Sequence, residues 1–289
     1  MATMTGAEVR EALGSAVDAL RAAGVEDPRL DAELLLSEAM GCERAALIAD
    51  GGAEVPPPAA RLFGEMVRRR LRHEPVAYIL GRKGFRDIEL TVDSRVLVPR
   101  PETELLVEVA VEAAPASVLD VGTGSGAIAL AVADELPGCE VTATDTSPAA
   151  LEVARANAKR LGLADRVRFL DGTLPEGESF ELILANLPYV AERDWPALQP
   201  EVTKWEPREA LLGGADGLDA YRALIPECGR AFASNRRKSS AAVAVEVGEG
   251  QAPAVAELMA NAGFGEIEAR RDLAGIERVV IGRCDEGAA

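Results

Sequence analysis

Asn186-Leu187-Pro188-Tyr189 closes an apolar run, Phe180-Glu181-Leu182-Ile183-Leu184-Ala185, and follows at a distance the glycine-rich turn Gly122-Thr123-Gly124-Ser125-Gly126. The side-chain carbonyl of Asn186 can accept one N–H of a planar NH2 group, and the backbone carbonyl of Leu187 or Pro188 can accept the other. Neither carbonyl removes a proton. The pair orients the nitrogen and matches positive charge that develops on it. Pro188 restricts the backbone, and Tyr189 can lie over the planar group and exclude water. Asn186, Pro188 and Tyr189 are therefore the candidate catalytic residues, with Leu187 beside them in holding a substrate. A bare turn after a core strand is the competing account.

The turn at Gly122, Thr123, Gly124 and Gly126 sits between a buried strand and a helix. Glycines there let the backbone approach a ligand, and the helix N-terminus offers unpaired N–H groups. Nicotinamide, flavin and adenosylmethionine sites share this design. Asp145 ends the next strand, where its carboxylate can accept both hydroxyl hydrogens of a ribose; capping the helix before Pro148 is the alternative, for which Ser147 is at least as suitable. Asp171-Gly172 ends a third strand, where an adenine edge belongs, with a plain turn as the alternative. Asn186 borders this candidate cofactor site as well as the substrate site. The combination has the layout of methyl transfer from S-adenosylmethionine to an amide or exocyclic nitrogen.

These residues need a scaffold, and the periodicity supplies one. Residues 5–75 read as short helices, with Val9, Leu13, Val17 and Leu20 as one stripe, Leu30, Leu34, Leu35 and Ala39 as another, and Leu62, Met66 and Arg70 along a third helix after Pro56-Pro57-Pro58. Such helices pack as a bundle. Residues 76–98 alternate as one or two hairpin strands and form a linker. From 99 to 284, strands at 117–121, 140–144, 167–170, 180–185 and 241–247 alternate with helices, which predicts a mostly parallel sheet covered on both faces. Segments 266–269 and 278–281 close it as an antiparallel pair, and 285–289 form a loose tail.

With 48 acidic residues against 31 Lys and Arg, the net charge of -17 opposes general binding to a phosphate backbone. No run is long enough for a transmembrane helix and no signal-peptide pattern opens the chain. Cys42, Cys139, Cys228 and Cys284 are too dispersed for a metal cluster and read as reduced thiols, and the single histidine, His73, lacks co-ligands, so no metal is expected. A cytoplasmic protein follows. The basic run Arg68 to Arg72 is either a solvated helix end or a contact for a partner.

Several segments in combination resemble the PrmC/HemK family of protein-(glutamine-N5) methyltransferases: Glu74-Pro75-Val76-Ala77-Tyr78-Ile79-Leu80-Gly81, Pro99-Arg100-Pro101-Glu102-Thr103-Glu104, the glycine turn, Asn186-Leu187-Pro188-Tyr189, Glu206-Pro207, and Gly213-Gly214 with Asp216-Gly217-Leu218. The resemblance implies an α/β class I S-adenosylmethionine-dependent methyltransferase with a Rossmann-like, mostly parallel seven-stranded sheet. A small N-terminal helical bundle at 1–75 would recognise the release factor, and a β-hairpin linker would join the two. The implied acceptor is the glutamine of the Gly-Gly-Gln motif in class 1 peptide chain release factors. Carried over, Gly122, Gly124 and Gly126 shape the cofactor site, Asp145 holds the ribose, Asp171 lies near the adenine, and Asn186 with the Pro188 backbone holds the amide beside Tyr189. Arg100 and Glu102 to Glu104 lie near the cofactor or the pocket mouth, or cap a helix, and Glu206 to Leu218 closes over the substrate. A monomer with no stable nucleic-acid partner is expected.

Two departures stand out. Leu187 occupies a position where the family often has Pro, a form also seen in ribosomal RNA adenine dimethyltransferases. Residues 228–240, including Arg236-Arg237-Lys238, replace a short Gly-Gly turn by a longer basic stretch, read as a surface loop or a contact with partner or RNA. Glutamine methylation of a ribosomal protein and adenine N6 methylation are the neighbouring activities. A nicotinamide-dependent oxidoreductase fits poorly, because Asn186 to Tyr189 offers no acid or base for hydride transfer.

Overall fold

The computed structural model describes residues 8–234 and 241–284. Met1 to Gly6, Arg236 to Lys238 and the expected tail at 285–289 lie outside the described residues. Along the chain come helices α1 (Val9–Ala22), α2 (Pro28–Met40), α3 (Arg44–Ala49), α4 (Pro57–Arg70) and α5 (Val76–Leu80). Strands β1 (Arg82–Phe85) and β2 (Ile88–Thr91) form an antiparallel hairpin. There follow α6 (Glu104–Ala113), β3 (Ser117–Val121), α7 (Ala127–Glu135), β4 (Glu140–Asp145), α8 (Pro148–Arg160), β5 (Val167–Asp171) and β6 (Leu182–Ala185). The chain ends with α9 (Pro200–Trp205), α10 (Asp219–Ser234), β7 (Ala242–Glu246), α11 (Ala252–Asn261), β8 (Glu266–Arg271) and β9 (Glu277–Arg283).

Two compact units result. Among the described residues, one comprises 8–81 with 199–205, the other 82–198 with 206–234 and 241–284. The expected linker at 76–98 is therefore divided: residues 76–80 are helical, not a strand, and belong to the first unit, while the hairpin belongs to the second. Pro75 fixes a backbone entry compatible with a helix start, and Gly81 ends the helix in the left-handed conformation (φ 71°).

In the first unit, Val9, Leu20, Ala32, Leu35, Leu36, Phe63 and Val67 form the core. Two expected stripe positions are not inward: Leu30 and Leu62 are exposed, and Asp31 is buried beside Leu30, while Met66 and Arg70 are buried as their stripe expects. Arg70 Nε donates to Asp31 Oδ2 at 2.6 Å, and Arg70 also pairs with Glu201 of α9. Burial raises the Asp31 carboxyl's pKa, and the Arg70 hydrogen bond opposes that rise. Arg69 is committed to Glu74 through two contacts of 2.8 and 2.5 Å. Half of the basic run is thus internal structure.

The second unit holds a seven-stranded sheet in the order β5-β4-β3-β6-β7-β9-β8. The first five pair in parallel, and β9 runs antiparallel to both β7 and β8. Strand order reverses between β3 and β6, the place where doubly wound sheets open a ligand crevice. The hairpin is fastened by Asn157 of α8, fully buried, whose Oδ1 accepts from Thr91 N at 2.7 Å and whose Nδ2 donates to Thr91 O and Ser125 O at 2.9 Å each. Residues 228–234, expected in a loop, complete α10 despite Pro226 within it. Its buried face, Tyr221, Leu224, Ile225, Cys228 and Phe232, packs into the sheet core, and this burial outweighs the single missing backbone donor.

Replacing Arg70 by Met should destabilise the first unit by about 3–5 kcal/mol, because Asp31 is left buried without its counter-charge. Thermal unfolding of the full chain measures this. The double change Arg70→Met with Asp31→Leu should recover part of the loss; equal stability of the single variant and wild type would remove the pair from the unit's framework.

Candidate active site

Parallel strands end on one edge of the sheet, so the loops after β3, β4, β5, β6 and β7 meet there. Those after β3, β4, β5 and β6 border a cavity of about 390 Å³ lined by the glycine turn, Asp145, Gly172, Thr173, Asn186, Leu187, Pro188 and one face of α10. The lining is mostly apolar with a few convergent polar groups, the usual make-up of a small-molecule site.

The turn after β3 has Gly122, Gly124 and Gly126 at φ of 75°, 56° and 86°, a region that L side chains rarely occupy. Gly126 has a second constraint: a Cβ there would lie 2.8 Å from Leu130 Cδ1. It shapes the turn from behind and does not line the cavity. Asp120 supports the turn from below. Its Oδ2 accepts from Thr123 Oγ1 at 2.6 Å and from Ala129 N at 3.2 Å, while Oδ1 is buried without a partner. Complete burial pushes this carboxyl up to about 7.

Asp145 braces the same turn. Its Oδ2 accepts from Gly124 N at 2.9 Å and its Oδ1 from Ser147 N at 2.8 Å. Capping α8 falls to Ser147, whose hydroxyl accepts from Ala150 N at 3.2 Å. Each Asp145 oxygen has a further lone pair, and the residue lines the cavity, so two more donors can be received. Asp171 ends β5 but is exposed and outside the lining. Gly172 and Thr173 line the cavity in its stead, because side chains alternate across a strand and its end turns here at Gly172, φ 110°.

Asn186 follows β6 directly and donates from Nδ2 to Thr103 Oγ1 at 3.0 Å. Thr103 in turn donates to Glu246 Oε2 at 2.5 Å. The Tyr189 hydroxyl lies 3.5 Å from Glu246 Oε1, and the Tyr221 hydroxyl donates to the Glu246 backbone carbonyl at 2.7 Å. Glu246 is 2% exposed, and burial, with Glu102 nearby, raises its carboxyl to about 7 against the pull of Thr103, Arg278 and Tyr189. Burial also pushes the Tyr189 phenol up to about 12, so it stays neutral. Tyr189 does not line the cavity; it packs behind the Asn186 turn. The Leu187 side chain is buried in the sheet core.

The segment after Glu206 backs this turn. Val190 N donates to Leu211 O at 2.8 Å, Gly213 N to Val190 O at 3.0 Å, and Gln251 Nε2 to Tyr189 O at 2.9 Å. A Cβ on Gly213 would lie 2.5 Å from Pro188 O, and one on Gly217 would lie 2.2 Å from Tyr189 O. The glycines therefore allow close backbone packing behind the turn, while Pro207, Glu209 and Ala210 reach the cavity. Glu206 is fixed by Arg100 at 2.5 Å and Val98 N at 3.2 Å. Glu104 accepts from Arg86 N at 3.1 Å. In this way Pro99 to Glu104 ties the hairpin, the Glu206 segment and the Asn186 turn together. In the sequence Thr103 stands out only as part of the Pro99 to Glu104 segment and Glu246 only as part of the strand at 241–247, since a threonine and a strand-end glutamate carry no motif of their own.

Residues 11–81 match the family described as PrmC N-terminal domain, and residues 101–201 match the methyltransferase small domain. The chain is 42% identical over 275 residues to a protein of Caulobacter vibrioides named release factor glutamine methyltransferase, covering 93% of each. It is 42% identical over 265 residues to a protein of the same name from Geobacter sulfurreducens, covering 90% of this chain and 91% of that one. Among solved structures, the hMettl16 catalytic domain in complex with a MAT2A 3'UTR hairpin matches with a TM-score of 0.54 at 14% identity, over 67% of this chain and 75% of that chain. That likeness concerns the fold alone.

Gly213→Ala should lower stability by about 1–3 kcal/mol, since backbone atoms on both sides must move. Gly138→Ala, whose new Cβ meets nothing within 4 Å, should change it by less than about 0.5 kcal/mol. Equal unfolding midpoints for the two variants would mean that the Gly213 segment is not packed tightly behind Pro188.

Proposed function

Because the chain belongs to the release factor glutamine methyltransferase family, we propose that it methylates the side-chain amide nitrogen of the glutamine in the Gly-Gly-Gln motif of a class 1 release factor. The observation that carries this reading is the Asn186 amide beside the glycine turn in a single cavity. S-adenosylmethionine, when bound, supplies an electrophilic methyl group on a sulfonium. The residues present suit it: a turn that brings backbone close to a ligand, a carboxylate with lone pairs left for two ribose hydroxyls, and apolar walls for an adenine. We assign the adenine edge to Gly172 and Thr173, with Asp171 as a neighbour outside the cavity.

An amide nitrogen is a poor nucleophile because its lone pair is delocalised into its carbonyl. Asn186 Oδ1 and one backbone carbonyl pin its two hydrogens and hold the nitrogen in line with the methyl group. Pro188 O packs against Gly213, which favours Leu187 O as the second acceptor. As the nitrogen becomes cationic, both acceptors match the growing charge, and its proton leaves to water. No general base is needed at Asn186, and the Tyr189 phenol serves as a wall behind the turn. We assign recognition of the release factor to the first unit, and expect a cytoplasmic monomer.

The test offers methyl-labelled adenosylmethionine and, separately, release factor, its Gln→Ala variant in Gly-Gly-Gln, ribosomal protein and adenine-containing nucleic acid. Label should appear on wild-type release factor and not on its variant; label on one of the other acceptors instead would reassign the substrate. Asn186→Ala should cut transfer by about a hundredfold, the scale of one oriented polar contact in a transition state, while cofactor affinity stays within several-fold. Asp145→Ala should chiefly weaken cofactor binding, and an unchanged dissociation constant would reject its ribose role.

A further inference from the structure

An asparagine amide has two unlike ends. Its oxygen accepts and its nitrogen donates, so a half-turn about the last side-chain bond reverses what it presents. At Asn186 the nitrogen end is taken by Thr103 Oγ1 at 3.0 Å. A hydroxyl that accepts there has its own hydrogen available for another acceptor, and Thr103 gives it to Glu246 Oε2 at 2.5 Å. Glu246 closes the chain at the end of β7, where it is 2% exposed. An ionised carboxylate can only accept. The direction of every bond in the row is therefore set from Glu246: it accepts from Thr103, Thr103 accepts from Asn186, and the Asn186 oxygen is the end not turned to Thr103.

We propose, building on the amide-methylation reading above, that Glu246 acting through the Thr103 hydroxyl is the positioning residue that turns the Asn186 carbonyl toward the acceptor nitrogen. Glu246 touches neither substrate nor cofactor in this role, since it does not line the cavity. Its own second oxygen is held by the Tyr189 hydroxyl at 3.5 Å, and its backbone carbonyl by Tyr221 at 2.7 Å. The charged neighbours are Glu102, which disfavours a second negative charge, and Arg278, which favours it. Burial leaves the carboxyl titrating at about 7. Once protonated, Glu246 can donate to Thr103; the hydroxyl then points back at Asn186, and the amide is stabilised with its nitrogen toward the cavity. Activity carried by this row is present above the titration and lost as pH falls through it.

Thr103 separates positioning from packing. Valine keeps the shape of threonine without the hydroxyl, and serine keeps the hydroxyl without the methyl group. With labelled adenosylmethionine and release factor, Thr103→Val should lower kcat by about tenfold, the scale of one lost buried hydrogen bond, with cofactor affinity within about twofold. Thr103→Ser should recover most of that loss. A packing role predicts the reverse order, and a valine variant as fast as wild type, or a serine variant as slow as valine, overturns the proposal. Glu246→Gln can still accept from Thr103 but has no proton to gain, so the acid-side fall of kcat below about pH 7 should become shallower than in wild type, leaving only what Asp120 contributes; a profile identical to that of wild type also overturns the proposal. Asn186→Ala in the same assay keeps the two levels apart. If wild type transfers no methyl group to any acceptor, the reading of the site itself fails; if wild type transfers and Asn186→Ala does not, while both Thr103 variants match wild type, only the Glu246 role fails.

Discussion

Parallel strand pairing is the constraint on which the active-site unit depends. Strands that run the same way must end on the same edge, so loops separated by dozens of residues converge there. The register makes this concrete: Val121, Thr144 and Ala185 lie abreast on neighbouring strands, and Val245 pairs with Ala185. The residues that follow them, Gly122, Asp145, Asn186 and Glu246, are consequently neighbours. The reversal of strand order between β3 and β6 sends one crossover to each side and leaves room between the glycine turn and the Asn186 turn. Chemistry is placed in that gap by topology before any side chain is chosen.

Topology alone leaves the loop backbone free, and the second requirement is to hold it. The Asn186 turn is held on three sides. The strand behind it is fully buried, Gln251 fixes the Tyr189 carbonyl, and the Gly213 segment lies against Pro188 closer than any side chain would allow. Ordering a glycine-rich stretch carries a large conformational-entropy cost. The hydrogen bonds between Val190 and Leu211 and between Gly213 and Val190 offset part of it. The same logic holds at the other wall, where Asp145 and Asp120 brace the glycine turn through its own backbone and the Thr123 hydroxyl. Both turns that border the cavity are held through their backbone by side chains from elsewhere in the chain, Asp145 at one and Gln251 at the other.

What the sequence disclosed follows from the range of the forces involved. Strands buried on both faces are short apolar runs, and β3, β4, β5 and β6 were located to within a residue or two for that reason. The glycine turn and Asn186 were legible because their chemistry is local. Phase and partnership were not. Leu30 and Leu62 read as inward positions but are exposed, and nothing local in the sequence tells that Arg70, on the stripe with Leu62, is held inside by counter-charges from the distant Asp31 and Glu201. Residues 76–80 alternate like a strand but turn helical between Pro75 and Gly81. Pro226 and Gly229 hid α10, whose apolar spacing is decided by the sheet it covers. Thr103 and Glu246 are 143 positions apart, and only the folded sheet brings them to one hydrogen bond.

Buried acids in this chain are held in two ways, and the contrast bears on what each is built for. In the first, Asp31 and Glu206 each meet a guanidinium, and the pairs hold separate segments of the chain together. In the second, Asp120 and Glu246 are more deeply buried and are bonded chiefly by neutral hydroxyl and amide donors. Neutral donors compensate a buried carboxylate less fully than an opposite charge does, so both groups titrate near neutrality and neither is a stability optimum. An apolar side chain of similar volume would suit the core as well at either place. A carboxylate does what such a side chain cannot: it accepts hydrogen bonds and never donates while ionised, and so imposes a direction on the groups bonded to it. Both lie immediately behind the walls of the cavity, one beneath the glycine turn and one behind Asn186. The structure thus gives up stability at two points where the orientation of polar groups decides what the cavity can hold.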